Sequence, residues 1–205
     1  MRRPAITVLF LLLMTFASGC GQQVHYEKID PKGRFVSERY QFCLQTPEDW
    51  EVRERVQSSE VVCLSRRSGP NDPFRENLVV GVEPLTESLT SEQYAEKKQS
   101  ELGSQAEVVD SQLSGDLPHL TYRHSLDGQP IEVLAYFRSH QVGGAYYGLS
   151  FLFSQRAEDF AESRPIFEEA ASTFKFGDAE CAEMRKLGSY PADLPTPEVT
   201  RSPAP

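Results

Sequence analysis

The fold is decided by residues 118–153, PHLTYRHSLDGQPIEVLAYFRSHQVGGAYYGLSFLF. Two dipeptides in it, Asp127-Gly128 and Gly143-Gly144, separate alternating apolar segments and tolerate the positive φ that a tight hairpin turn demands. They divide the stretch into the strands Pro118 to Ser125, Ile131 to His140 and Ala145 to Phe153. Upstream, Gly115-Asp116 closes a further strand, Ala106 to Leu113, and together these segments read as an antiparallel meander. In the last strand Ala145, Tyr147, Leu149, Phe151 and Phe153 share one face, opposite Gly148, Ser150 and Ser154. So apolar a face needs a cover. The chain supplies one as a helix in which Pro165 fits the first turn and Ile166, Phe167, Ala170, Ala171 and Phe174 form a stripe at helical spacing.

Toward the N-terminus a second helix announces itself. Thr90 is its N-cap, Gln93 completes a capping box, Leu89 and Tyr94 are placed as a hydrophobic staple, and Gly103 stops it after Leu102. Before it lie further strands. Tyr40, Phe42 and Leu44 alternate with Gln41, Cys43 and Gln45; Glu51 to Val56, Glu60 to Arg66 and Leu78 to Val82 follow. Thr46-Pro47-Glu48-Asp49 turns the chain into Trp50, the one tryptophan, which plugs the end of the core, and Ser68 to Pro73 is punctuated too heavily for regular structure. The fold class is α+β, an antiparallel sheet packed by helices. After Phe176 the composition shifts to Pro191, Pro195, Pro197, Pro203 and Pro205 with little apolar content, so 177–205 reads as mostly disordered, with at most a short helical turn over Cys181 to Leu187.

The first twenty residues read as a bacterial lipoprotein signal: Arg2-Arg3, an apolar run from Ala5 to Phe16, and Ala17-Ser18-Gly19 leading into Cys20, whose thiol would take the lipid. Ala17 stands where a strict lipobox has Leu. The apolar run is short for an uncleaved anchor, which needs roughly 20 residues. An ordinary secretory signal cut near the same place is the other reading. Gly21 after the cysteine favours the outer membrane if the host has two. The organisation expected is therefore a signal over 1–19, a lipidated tether over 20–33, a domain over 34–176 and the tail. The whole chain carries a formal charge of −9, and removal of the signal takes away two arginines and no acid. Such a surface repels nucleic acid and anionic headgroups, so membrane attachment rests on the lipid.

With Cys20 lipidated, Cys43, Cys63 and Cys181 remain for an oxidising compartment. Cys43 and Cys63 both fall in strand-like segments, and a bridge between them is favoured over one using Cys181; the other reading makes both small buried hydrophobes. No cysteine or histidine spacing suggests a metal, and His119 and His124, five apart on one strand, point to opposite faces. Gly148-Leu149-Ser150-Phe151-Leu152 lacks the closing glycine of a nucleophile elbow, and no phosphate-cradling glycine loop is present. A binding surface is the stronger class. Arg66, Arg67 and Arg75 with Phe74 concentrate cations and an aromatic in one loop of an acidic domain, the composition of interface anchors; ordinary solvated charge paired with Asp72 and Glu76 is the alternative.

The segments 46–52 (TPEDWEV), 72–80 (DPFRENLVV) and 167–176 (FEEAASTFKF) resemble landmarks of PsbP-like domains, a superfamily that also includes DcrB-type bacterial lipoproteins. The resemblance spans roughly Phe35 to Phe176. It implies an α/β/α sandwich acting as a non-catalytic binding or assembly factor, with no catalytic site and no cofactor to carry over. The function expected is that of a non-enzymatic envelope lipoprotein with an unidentified envelope protein as partner; a small-ligand or metal-binding lipoprotein is the alternative.

Overall fold

The structure is a computed structural model that describes residues 33–54, 56, 58–67, 69 and 74–188. The signal, Cys20, nearly all of the tether, most of the Ser68–Pro73 loop and the chain after Gly188 lie outside the described residues. The meander is present: β6 (Glu107–Gln112), β7 (His119–Leu126), β8 (Gln129–Val142) and β9 (Ala145–Arg156). Positive φ falls at Asp127, Gly128, Gly143 and Gly144, as the hairpin reading requires. β3 (Glu51–Glu54), β4 (Ser59–Leu64) and β5 (Asn77–Leu85) complete a seven-stranded sheet in the order β3-β4-β5-β9-β8-β7-β6. Every pairing in it is antiparallel.

β9 lies inside the sheet and is buried on both faces. On one, Leu149, Phe151 and Phe153 meet Trp50, Val61, Leu78, Val80 and Leu134. The cover on this side is double. Helix α2 (Phe160–Ser172) lays Phe160, Phe167, Ala170 and Ala171 on the sheet, while a three-stranded sheet of β1 (Arg34–Ser37), β2 (Phe42–Gln45) and β10 (Lys175–Phe176) adds Phe35, Phe42 and Leu44. Phe153 stacks on Phe167 with centroids 5.1 Å apart, and Phe151 on Phe174 at 4.3 Å. Two details of the sequence reading change. The helix begins at Phe160, so Pro165 lies inside it and not in its first turn, and Ile166 is 43% exposed. The helix starts earlier because Phe160 is buried, which extends the buried stripe to Phe160, Ser163, Phe167, Ala170 and Ala171.

On the other face Gly148 and Ser150 receive helix α1 (Ser91–Leu102), whose capping box of Thr90 and Gln93 is formed. Tyr94 lies on Gly148: a Cβ there would stand 2.4 Å from the ring. Its hydroxyl hydrogen-bonds Ser150 at 2.9 Å, and its ring meets Phe137 edge-on. Burial pushes this phenol well above its ordinary range.

The cysteine pairing is a correction. The disulfide joins Cys43 to Cys181, with Cα atoms 5.8 Å apart, and Cys63 is a free thiol buried in β4. Strand alternation explains it. Phe42 and Leu44 face the core, so Cys43 points away from it, whereas Cys63 belongs to the core with Val61. What lies behind Cys43 is a helix, α3 (Asp178–Gly188), whose Cys181 is fully buried. The folded region thus continues past Phe176, the domain end read from the sequence, and the short helical turn read over Cys181 to Leu187 lies within a longer helix, Asp178–Gly188. Among the described residues no helix is long and apolar enough to cross a membrane.

Two outcomes test this arrangement. Peptide mapping of the oxidised chain is expected to yield a crosslink between the peptides holding residues 43 and 181, and Cys181→Ser to cost about 2–5 kcal/mol in chemical denaturation; a crosslink to Cys63 would overturn the pairing. Gly148→Ala is expected to destabilise by about 1–3 kcal/mol through overpacking against Tyr94, and an unchanged midpoint would show that α1 does not depend on this contact.

Candidate functional site

The loop singled out in the sequence divides into two roles. Arg75 is held: Nε donates to the Ser65 carbonyl at 2.6 Å, and Nη2 bonds Glu51 at 3.2 Å and the Leu64 carbonyl at 3.3 Å. Arg53 meets the same Glu51 at 2.9 Å. Burial works to raise the Glu51 carboxyl, but the bonds and charges of Arg53 and Arg75 outweigh it and hold the group below the usual carboxylate range. Phe74 is half-buried and packs with the cluster beneath α1. These two side chains build the fold. Arg66 and Arg67 are exposed; Arg66 reaches Asp49 at 3.1 Å in an exposed pair, the kind that contributes little.

The structure also brings together residues that the sequence reading did not connect. Along β8 the side of the strand that carries Leu134 and Tyr136 continues into Arg138 and His140. Arg138 lies over the Phe176 ring at 4.9 Å and donates to the Asp116 carbonyl at 2.8 Å. His140 stands 6.1 Å from Phe176 and opposite Tyr147, which meets Tyr40 edge-on, and Arg39 covers Tyr40 at 5.0 Å. Arg138 Nε and His140 Nε2 are buried with no hydrogen-bond partner among the described residues. Burial, aided by the Arg138 charge, pushes His140 below its ordinary value. Polar residues continuing the core-facing period of an apolar strand were the available signal.

His119 and His124 fall on opposite faces, as their separation predicts. His119 lies against Tyr136 at 5.2 Å and His124 near Tyr122 at 6.1 Å. Burial lowers His124, partly offset by a backbone hydrogen bond at Ser125. Among the described residues no group of three or more His, Cys, Asp and Glu is gathered as a metal set.

Fold and side chains together define a class: a disulfide-stapled antiparallel α+β domain with arginine and aromatic groups at its surface. No known family profile matches the sequence, and no curated protein does. Solved structures do. One is LpqN, involved in cell envelope biogenesis of Mycobacterium tuberculosis, at 14% identity and a TM-score of 0.54 over 73% of this chain and 87% of that one. A protein of Bacteroides thetaiotaomicron matches at 14% identity, with a TM-score of 0.46 over 72% of this chain and 49% of its own. Cyanobacterial PsbP of Synechocystis matches at 17% identity, with a TM-score of 0.42 over 77% and 97%. At these identities the likeness concerns the fold. The class read from the sequence, an α+β fold with an antiparallel sheet packed by helices, is the one the structure has; one outer layer combines a helix with a small sheet.

Arg75→Ala is expected to destabilise by about 1–3 kcal/mol, since it leaves Glu51 and two carbonyls short of a donor, while Arg66→Ala and Arg67→Ala stay within about 0.5 kcal/mol; equal effects in urea titrations would erase the division. Folded His124 and His140 have lowered values, so below about pH 6.5 the unfolded chain binds more protons. Stability is therefore complete above that pH and declines as pH falls through it. His140→Phe is expected to flatten the slope of melting temperature between about pH 7 and 5.5; an unchanged slope would remove His140 from the account.

Proposed function

We propose that this protein is an envelope lipoprotein, held at the membrane by lipid on Cys20, whose domain is a non-catalytic binding or assembly factor for a membrane-associated partner. The observation that carries the reading is the Cys43–Cys181 disulfide. Bonds of this kind persist in oxidising compartments outside the cytoplasm, which agrees with an export signal ending at a cysteine. The LpqN fold, from a protein of cell envelope biogenesis, points the same way. Arg66 and Arg67 are the loop cations left accessible by the folded structure, and they are the partner contact in this reading.

The test is crosslinking in the native host with affinity capture, comparing wild type, Cys20→Ala and the double variant Arg66→Glu/Arg67→Glu. Wild type is expected in the detergent phase with a defined complex, Cys20→Ala in the aqueous phase without it, and the charge reversal anchored but at least about tenfold poorer in capture. A Cys20→Ala protein that stays in the detergent phase would refute lipid anchoring. Undiminished capture by the charge reversal would remove the loop from the partner surface. Capture of no protein by wild type would refute the binding reading.

A further inference from the structure

The seven-stranded sheet ends on β6, whose residues Glu107–Gln112 are all exposed and whose strand neighbour is β7. The opposite edge differs. β3 is four residues long, and its Glu51 and Arg53 are tied into the Arg75 network. An open edge presents backbone N–H and C=O groups that an extended chain can complete.

The side chains of β6 say which chain. The register shifts between Val108 and Asp110: Glu107 stands opposite Arg123, Val108 opposite Tyr122 and Asp110 opposite Thr121, so Val109 is an extra residue. Asp110 reaches Arg164 of α2 at 3.8 Å and Glu107 reaches Arg123 at 4.0 Å, which sets both carboxylates on the α2 side of the sheet. Val108 shares the α1 side with Tyr122, and the bulge places Val109 beside it. They are 39% and 46% exposed, and among the described residues Ile166 is the one other exposed large hydrophobic. Both ion pairs are long, and the carboxylate side chains keep 73% and 55% of their exposure.

We propose that β6 is a docking edge for an extended segment of a partner protein that alternates basic and apolar residues. Its cations meet Glu107 and Asp110, its apolar side chains cover Val108 and Val109, and its backbone completes the ladder. A second copy of this chain is the wrong occupant. Antiparallel pairing of identical edges keeps each face on its own side, so it would bring Glu107 and Asp110 of one chain beside those of the other, and like charges so placed oppose pairing. The net negative charge of the chain steers a basic segment toward it. The bulge discourages indiscriminate pairing, which leaves the side-chain match to select the occupant.

The experiment is amide exchange by mass spectrometry on the full mature chain in detergent micelles, with a short peptide alternating lysine and valine and a matched glutamate and valine control. The lysine peptide is expected to slow exchange across residues 107–112 by about tenfold, and the glutamate peptide to leave it unchanged. Glu107→Lys/Asp110→Lys should reverse that preference, and Val108→Lys/Val109→Lys should abolish protection with the acids intact; both sets of sites are exposed, and an unchanged melting temperature checks the fold. Protection absent with the lysine peptide, equal with both peptides, or centred elsewhere overturns the proposal. Protection that grows with protein concentration alone overturns it in favour of self-pairing.

Discussion

The structure rests on one constraint: β9 must be buried on both faces while its two faces carry opposite kinds of side chain. Leu149, Phe151 and Phe153 are bulky on one side, and Gly148 and Ser150 are small on the other. The bulky side calls for an apolar cover wide enough for three large side chains, which α2 and the three-stranded sheet provide together. The small side leaves a hollow that a flat aromatic can occupy, and Tyr94 fills it with its hydroxyl satisfied by Ser150. A buried phenol without that partner would cost roughly 1–3 kcal/mol. Both outer layers are therefore positioned from a single strand.

Much of this was legible because it is local. Asp127-Gly128 and Gly143-Gly144 encode turn geometry directly, and Thr90 with Gln93 encodes a helix start whose hydrogen bonds close within one turn. The long-range choices were harder. Cys43 and Cys63 look alike in two apolar strands, yet the alternation around Phe42 and Leu44 sends Cys43 to the far side of the small sheet. Reading that direction required knowing that something lay beyond it. α3 shows in the sequence only as a short helical turn over Cys181 to Leu187, because the later prolines dominate 177–205, whereas Asp178–Gly188 is stabilised by a crosslink and by Arg185 bonding Glu38 and Asp178.

The candidate site was legible only in part for a related reason. Arg75 and Arg67 are both loop arginines in the sequence, and composition cannot tell a guanidinium tied to Glu51 and two carbonyls from one in solvent. Arg138 and His140 illustrate the converse. They are polar residues on the core-facing period of β8, a placement that gains meaning only once Phe176 is folded over them. Their buried nitrogens, without a hydrogen-bond partner among the described residues, and the exposed β6 edge share no residue.

The crosslink has a consequence for how the molecule is made. Its two cysteines are separated by 138 positions, so the partner of Cys43 is among the last parts of the domain to be synthesised. While the chain emerges, Cys43 meets Cys63 long before it meets Cys181. Burial of Cys63 in β4 removes it from competition once that strand has joined the sheet. In the folded domain the thiol left for Cys43 is the one its C-terminal helix brings, because Cys63 is hidden in β4.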